Sequence, residues 1–170
     1  MRRIVALHDS LGIPGGYGPA RQIPVQKEAD RLVPIGTDIY QREQLLAPRA
    51  AAAWRLMRRS ASGDGVELQV VSAYRSVDYQ AAILRRKLER GQDIDEILRV
   101  SAAPGYSEHH SGRALDITTP GYPVLEEAFE NSQAFRWLSE SADDFGFHMS
   151  FPRSNPHGVA YEPWHWAWCK

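Results

Sequence analysis

Two groups of side chains have the types and spacing to do chemistry. The first is the run Ser107-Glu108-His109-His110-Ser111-Gly112-Arg113-Ala114-Leu115-Asp116, with two imidazoles and a carboxylate close together. The second is Glu162-Pro163-Trp164-His165, near the C-terminus. Neither completes a catalytic metal site alone. Pooled, they offer His and Asp ligands for a hydrolytic zinc centre that keeps one position for water, with a Glu to spare. Arg75 is a third candidate, placed where an apolar strand gives way to a helix. A guanidinium there could hold a substrate carboxylate or polarise a carbonyl oxygen, or pair with a nearby carboxylate instead. Gln80 follows on the same helix, where its amide could equally bond a neighbouring backbone group.

Spacing alone leaves His109 and His110 as alternatives, because neighbouring side chains in extended chain diverge. Gly112 lets the backbone turn tightly between the histidines and Asp116. Asp116 by itself would also serve as a turn or cap residue. In a straight strand, Trp164, Trp166 and Trp168 share one face and His165 and Ala167 the other. His165 alone would read as a packed histidine among aromatics. Glu162 has the parity of the tryptophans, so a straight strand would separate it from His165. Pro163, which cannot donate to a ladder and restricts Glu162, supplies a bend.

These residues need elements to hold them. Leu46, Ala50, Ala53, Trp54 and Met57 recur at helical spacing and predict a core helix over 46–60, opened by Pro48 and stopped by the Gly-rich 62–65. Val66, Leu68 and Val70 alternate with polar residues and predict a strand running into Tyr74-Arg75-Ser76. Ser76 can cap the next helix, whose stripe is Gln80, Ile83, Leu84 and Leu88. A short helix follows over 93–100. The stretch 114–118 reads as a strand with Leu115 and Ile117 on one face and Asp116 on the other. A helical region over 126–144, broken near Asn131-Ser132, stops at Gly146. Two strands, 147–151 and 164–168, end the chain. Residues 4–7 read as a short strand or tether, and 12–19 as a Gly/Pro surface loop. Over 25–40 the signal is weak, since Pro34 and Gly36 interrupt any regular element.

The chain has 170 residues, enough for one domain with a real core. With 20 basic against 21 acidic residues, it gives no electrostatic case for nucleic acid or an anionic membrane. Arg58-Arg59 and Arg85-Arg86-Lys87 read as solvated helix faces. The single cysteine, Cys169, excludes an intramolecular disulfide. No stretch is apolar enough for a membrane span or a signal core, so no membrane insertion is expected.

Three motifs in order resemble the VanY-type D-alanyl-D-alanine carboxypeptidases, of the LAS group of zinc peptidases. They are Ser72-Ala73-Tyr74-Arg75-Ser76 with Gln80; Ser107, His109, Gly112, Ala114 and Asp116; and Glu162-Pro163-Trp164-His165. Phe145-Gly146-Phe147 is similar too. The resemblance implies an α+β fold: a small central antiparallel sheet carrying a zinc site, flanked by helices, as in hedgehog domains and D-Ala-D-Ala peptidases. It implies one Zn2+ per chain, with His109, Asp116 and His165 as ligands. Glu162 matches the family's base, Arg75 its carbonyl- or carboxylate-binding arginine, and Gln80 and Ser107 positions that line the substrate end. Residues 1–25 are expected to be an N-terminal extension or tether, and 26–170 a single zinc peptidase domain.

The implied activity removes a C-terminal D-amino acid from peptidoglycan stem peptides. A phage-lysin-like endopeptidase and a non-catalytic zinc-containing binding module are the alternatives. The partner implied is peptidoglycan, with no nucleic acid; nothing sets the oligomeric state. The family often has a basic residue where this chain has Ala167, which bears on the substrate. The usual export signal is missing, which leaves cell wall, cytoplasmic muropeptide processing and phage lysis open as locations.

Overall fold

The computed structural model describes residues 2–169. Its centre is a four-stranded antiparallel sheet built from β3 (Gln69–Ser72), β4 (Ala114–Thr118), β5 (Phe147–Met149) and β6 (His165–Trp168), in the order β3-β4-β6-β5. A separate ribbon pairs β1 (Val33–Thr37) with β2 (Glu43–Leu46). The expected α+β architecture is therefore present, with helices around small antiparallel sheets.

Leu115 and Ile117 of β4 face one large core, with Trp166 and Trp168 of β6. Helix α3 (Pro48–Gly63) lays Ala50, Trp54, Met57 and Ala61 into it, one face of a 3.6-residue period. Pro48 opens α3, where a missing N–H costs nothing. Helix α6 (Gln133–Ser141) closes the core with Ala134, Trp137 and Leu138. The expected break before it is real: a 3-10 turn, Glu127–Asn131, ends at Ser132, whose hydroxyl accepts from Phe135 N at 3.0 Å. Truncating a fully buried aromatic such as Trp54 would cost about 3–5 kcal/mol.

A second core lies between α4 (Val77–Glu89), α5 (Ile94–Val100) and the N-terminal segment. Ser76 caps α4 by accepting from Tyr79 N at 3.1 Å, and Asp93 caps α5. Residues 2–11 form α1 (Arg2–Leu11) rather than a short strand, and α2 (Tyr17–Arg21) interrupts the Gly/Pro loop. Leu11, Ile13, Tyr17 and Ile23 pack against Ala81, Leu84, Ile97 and Leu98. The N-terminal segment is thus helical and docked on α4 and α5.

The β1–β2 ribbon has no clear signature in the sequence. Pro34 and Gly36 flank a register shift in the ribbon, and Gly36 takes φ 104°. A two-stranded edge tolerates a bulge that a central strand would not. What broke the pattern in the sequence is the irregularity that the ribbon accommodates. Among the described residues, no helix is long and apolar enough to cross a membrane.

Candidate metal centre

Strand register builds half of the site. Asp116 of β4 lies opposite His165 of β6, and both project from the face opposite Leu115 and Ile117. His165 Nδ1 stands 3.1 Å from Asp116 Oδ1. The other half comes from the 3-10 turn Glu108–Ser111 that feeds β4. Gly112 ends this turn at φ 65°, and a Cβ there would meet Ala47 N at 2.9 Å. Only glycine permits both the left-handed turn and the approach of β2's end, where Ala47 N donates to Gly112 O at 2.8 Å. The turn sets His109 Nε2 at 3.3 Å from Asp116 Oδ1. One ligand atom from each of His109, Asp116 and His165 lies within 4.8 Å of the others, so the three could hold a metal ion.

The hydrogen bonds of the rings fit that use. His109 Nδ1 lies 2.5 Å from the Ala73 carbonyl, so it donates there and leaves Nε2 with its lone pair. Nε2 is buried and has no hydrogen-bond partner among the described residues. An orphaned buried imidazole nitrogen facing a carboxylate and a second imidazole suits a borderline-soft cation such as zinc. His165 is oriented the same way from the other side: its Nε2 lies 2.8 Å from Glu108 Oε2, which leaves Nδ1 for the ion. Ser150 Oγ donates to the same Glu108 oxygen at 2.7 Å.

His110 is occupied differently. Its Nδ1 lies 2.6 Å from Arg75 O, and its Nε2 accepts from Gly105 N at 3.1 Å. Both nitrogens are committed to backbone, so this ring ties the turn to residues 75 and 105.

Burial and charge divide the two neighbouring imidazoles, whose centroids are 5.0 Å apart. Burial, helped by the Arg75 charge, lowers the pKa of His109 to about 4. Burial also opposes charge on His165, but hydrogen bonds to Asp116 and Glu108 outweigh it and raise its pKa to about 10 in the metal-free protein. Asp116 is held well below the usual carboxylate range: burial opposes this, and His109, His165 and Arg75 overcome it.

Glu162 reaches the same site through a turn. His165 N donates to Glu162 O at 3.1 Å across Pro163, and Glu162 Oε2 comes to 3.9 Å from His165 Nδ1. The bend at Pro163 thus reverses the parity that would have parted them. Burial raises the Glu162 pKa to about 7, against the pull of the His165 charge.

Arg75 follows β3, with Nη2 3.5 Å from Asp116 Oδ2 and a buried Nε lacking a hydrogen-bond partner among the described residues. Gln80 is buried on α4, its Nε2 donating to Ala102 O at 2.8 Å while Oε1 has no partner among the described residues. Ser107 is buried immediately before the His109 turn. The structure therefore gathers His109, Asp116, His165, Glu162 and Arg75 at one place. Gln80 and Ser107 belong to the adjoining α4 and 101–107 loop.

Two supports have no role in the sequence reading. Glu108 sits beside a histidine, but only the 3-10 turn aims it at His165, 57 residues on. Gln44 of β2 accepts from Ala73 N at 2.8 Å and donates to the buried Asp38 at 2.8 Å. It thereby anchors Ala73, the residue whose carbonyl orients His109, while Tyr74 N, on that same carbonyl's peptide, donates to Leu45 O at 3.1 Å. No motif marks Gln44, because its partner is a backbone group.

The family model of VanY, D-alanyl-D-alanine carboxypeptidase, matches residues 43–170. YodJ of Bacillus subtilis (strain 168) is 28% identical over 169 residues, which cover 95% of this chain. The chain spans 58% of that relative's length. Among solved structures, the LdcB LD-carboxypeptidase superposes with a TM-score of 0.75 at 30% identity, covering 85% of this chain and 71% of its own. A vancomycin resistance D,D-pentapeptidase VanY mutant in complex with Zn(II) gives 0.65 at 27% identity, covering 86% and 82%. With three quarters of its length matched by one family model, in a fold shared with these peptidases, the chain belongs to the VanY D-alanyl-D-alanine carboxypeptidase family.

Proposed function

We propose that this chain is a zinc carboxypeptidase that releases a C-terminal D-amino acid from peptidoglycan stem peptides. The observation that carries the reading is a three-donor His/Asp/His set with a largely enclosed carboxyl, Glu162, beside it. A structural zinc site has no use for that extra carboxyl. Relatives named D-alanyl-D-alanine carboxypeptidase and a neighbour solved with D-alanine-D-alanine support the substrate class.

His109 Nε2, Asp116 and His165 Nδ1 would hold one ion. Zinc bound there would supply Lewis acidity at the scissile carbonyl and a water acidic enough to be deprotonated near neutral pH. Glu162 accepts the proton from the attacking water and returns it to the leaving amine. Burial raises its pKa in the metal-free fold, which favours the protonated form that the leaving amine requires. Arg75 offers a free guanidinium edge to a substrate oxygen, and Asp116 holds that guanidinium in place. Gln80, through its unpartnered Oε1, and Ser107 line the substrate end. The overall change is hydrolysis of one peptide bond: water adds across it, leaving a shortened acid and a free amino acid.

The test is product analysis on defined stem peptides with the zinc-loaded protein. A single released amino acid, identified by mass, is expected. Internal fragments would make it an endopeptidase, and binding without turnover a binding module; either would overturn the proposal.

A further inference from the structure

The basic run at the end of α4 does not point uniformly to solvent. Arg85 and Arg86 are exposed, but Lys87 is half-buried. It lies two turns beyond Gln80 on the same helical stripe, with Leu84 between them. Both polar residues reach the loop that leads to His109: Gln80 through the Ala102 carbonyl, and Lys87 Nζ by donating to Ser101 Oγ at 2.8 Å.

Lys87 has no carboxylate partner within ion-pair distance among the described residues. Burial lowers its pKa, the Arg75 charge lowers it further, and Glu162 raises it. A half-buried ammonium with no carboxylate partner is costly to hold unless an anion arrives to meet it. Two of its three N–H donors remain for such an anion.

We propose that Lys87 is a substrate-binding residue that takes a carboxylate of the stem peptide. This inference rests on the carboxypeptidase reading above. Lys87 stands further along α4 than Gln80, so it serves a carboxylate that is not part of the bond being broken. Two groups have that chemistry: the free C-terminus, and a side-chain carboxylate on the residue that precedes the released one. In either case Lys87 sets affinity and specificity and takes no part in proton transfer.

The experiment compares zinc-free wild type, Lys87→Met and Lys87→Arg on three stem probes by calorimetry, and uses the same probes as substrates of the zinc-loaded proteins. The probes are a stem with lysine before the terminal D-alanine, the same stem as a C-terminal amide, and a stem with diaminopimelate in place of lysine. Losing one charge-assisted contact should weaken binding and raise KM about tenfold in Lys87→Met, with a smaller change in kcat and recovery in Lys87→Arg. If the loss appears with the lysine stem and vanishes with its amide, the C-terminus is the partner. If it appears only with the diaminopimelate stem, the side chain is. Equal binding of all probes by wild type and Lys87→Met overturns the inference, as does an equal loss on every probe. Those outcomes leave the carboxypeptidase reading standing when wild type releases D-alanine. No binding and no release by wild type removes both.

Discussion

Glu162→Gln separates what a buried carboxyl does for chemistry from what it does to stability. The Glu162 side chain is 12% exposed, and burial lifts its pKa from 4.5 to about 7 in the metal-free fold. A raised carboxyl stabilises the fold fully below pH 4.5, where folded and unfolded chains both carry the proton. That contribution is lost progressively from pH 4.5 to about 7, where the unfolded chain has given up the proton that the folded chain keeps. The shift corresponds to about 3 kcal/mol. Glutamine is neutral throughout and mimics the protonated form in shape. Chelated Glu162→Gln and chelated wild type should therefore have similar stability near pH 4. By pH 8 the variant should be more stable by about 3 kcal/mol, while the zinc-loaded variant loses activity by about 10²-fold or more. Urea unfolding of both chelated proteins across pH 4–8 measures the first effect. A stability difference that does not change with pH would refute the argument that burial raises this carboxyl.

Other outcomes follow from the same geometry. At pH 8 the metal-free His165 is charged, with a pKa of about 10, and must be neutral to bind an ion. Zinc binding should then release about one proton, read from calorimetry in buffers of different ionisation heat; a slope near zero contradicts it. Glu108→Ala leaves the ligands intact but removes the acceptor that orients His165, and zinc affinity measured against a competing chelator should fall about 10–100-fold. Deleting residues 2–25 leaves every site residue in place but removes Leu11, Ile13, Tyr17 and Ile23 from the second core. It also frees the loop before Glu162, to which Arg21 is joined by Nη1 to Gly158 O at 3.1 Å and by its carbonyl to His157 Nδ1 at 3.0 Å. Denaturant unfolding should show a loss of about 6 kcal/mol or more, at roughly 1.5 kcal/mol or more for each of the four buried side chains. An unchanged midpoint would show that the segment only rests on the surface.

Much of the fold was legible because apolar periodicity and burial agree. The α3 stripe from Ala50 on, the capping Ser76, the two faces of β4 and the tryptophans of β6 follow from local pattern, and the structure places them so; Leu46, expected to open that helix, ends β2 instead. Where backbone irregularity carries the structure, pattern fails. The β1–β2 ribbon bulges at its Pro and Gly, and α1 lies where the apolar run was short enough to pass for a strand. At the site, the His/Asp/Glu types and the bend at Pro163 were visible in the residues themselves. The choice of His109 over His110 was not: it depends on which ring is tied to backbone on both nitrogens. Glu108, Gln44 and Lys87 escaped for a related reason. Each acts across long sequence separation, on a ring, a backbone amide or a loop hydroxyl that no spacing rule brings near.

The central claim is a zinc ion held by three named atoms. Anomalous diffraction at the zinc edge from crystals of the zinc-loaded protein tests it directly. One peak per chain is expected, about 2.0–2.2 Å from His109 Nε2, an Asp116 carboxylate oxygen and His165 Nδ1, with His110 uninvolved. A peak bound by His110, or no peak between His109, Asp116 and His165 at full zinc loading, would contradict it.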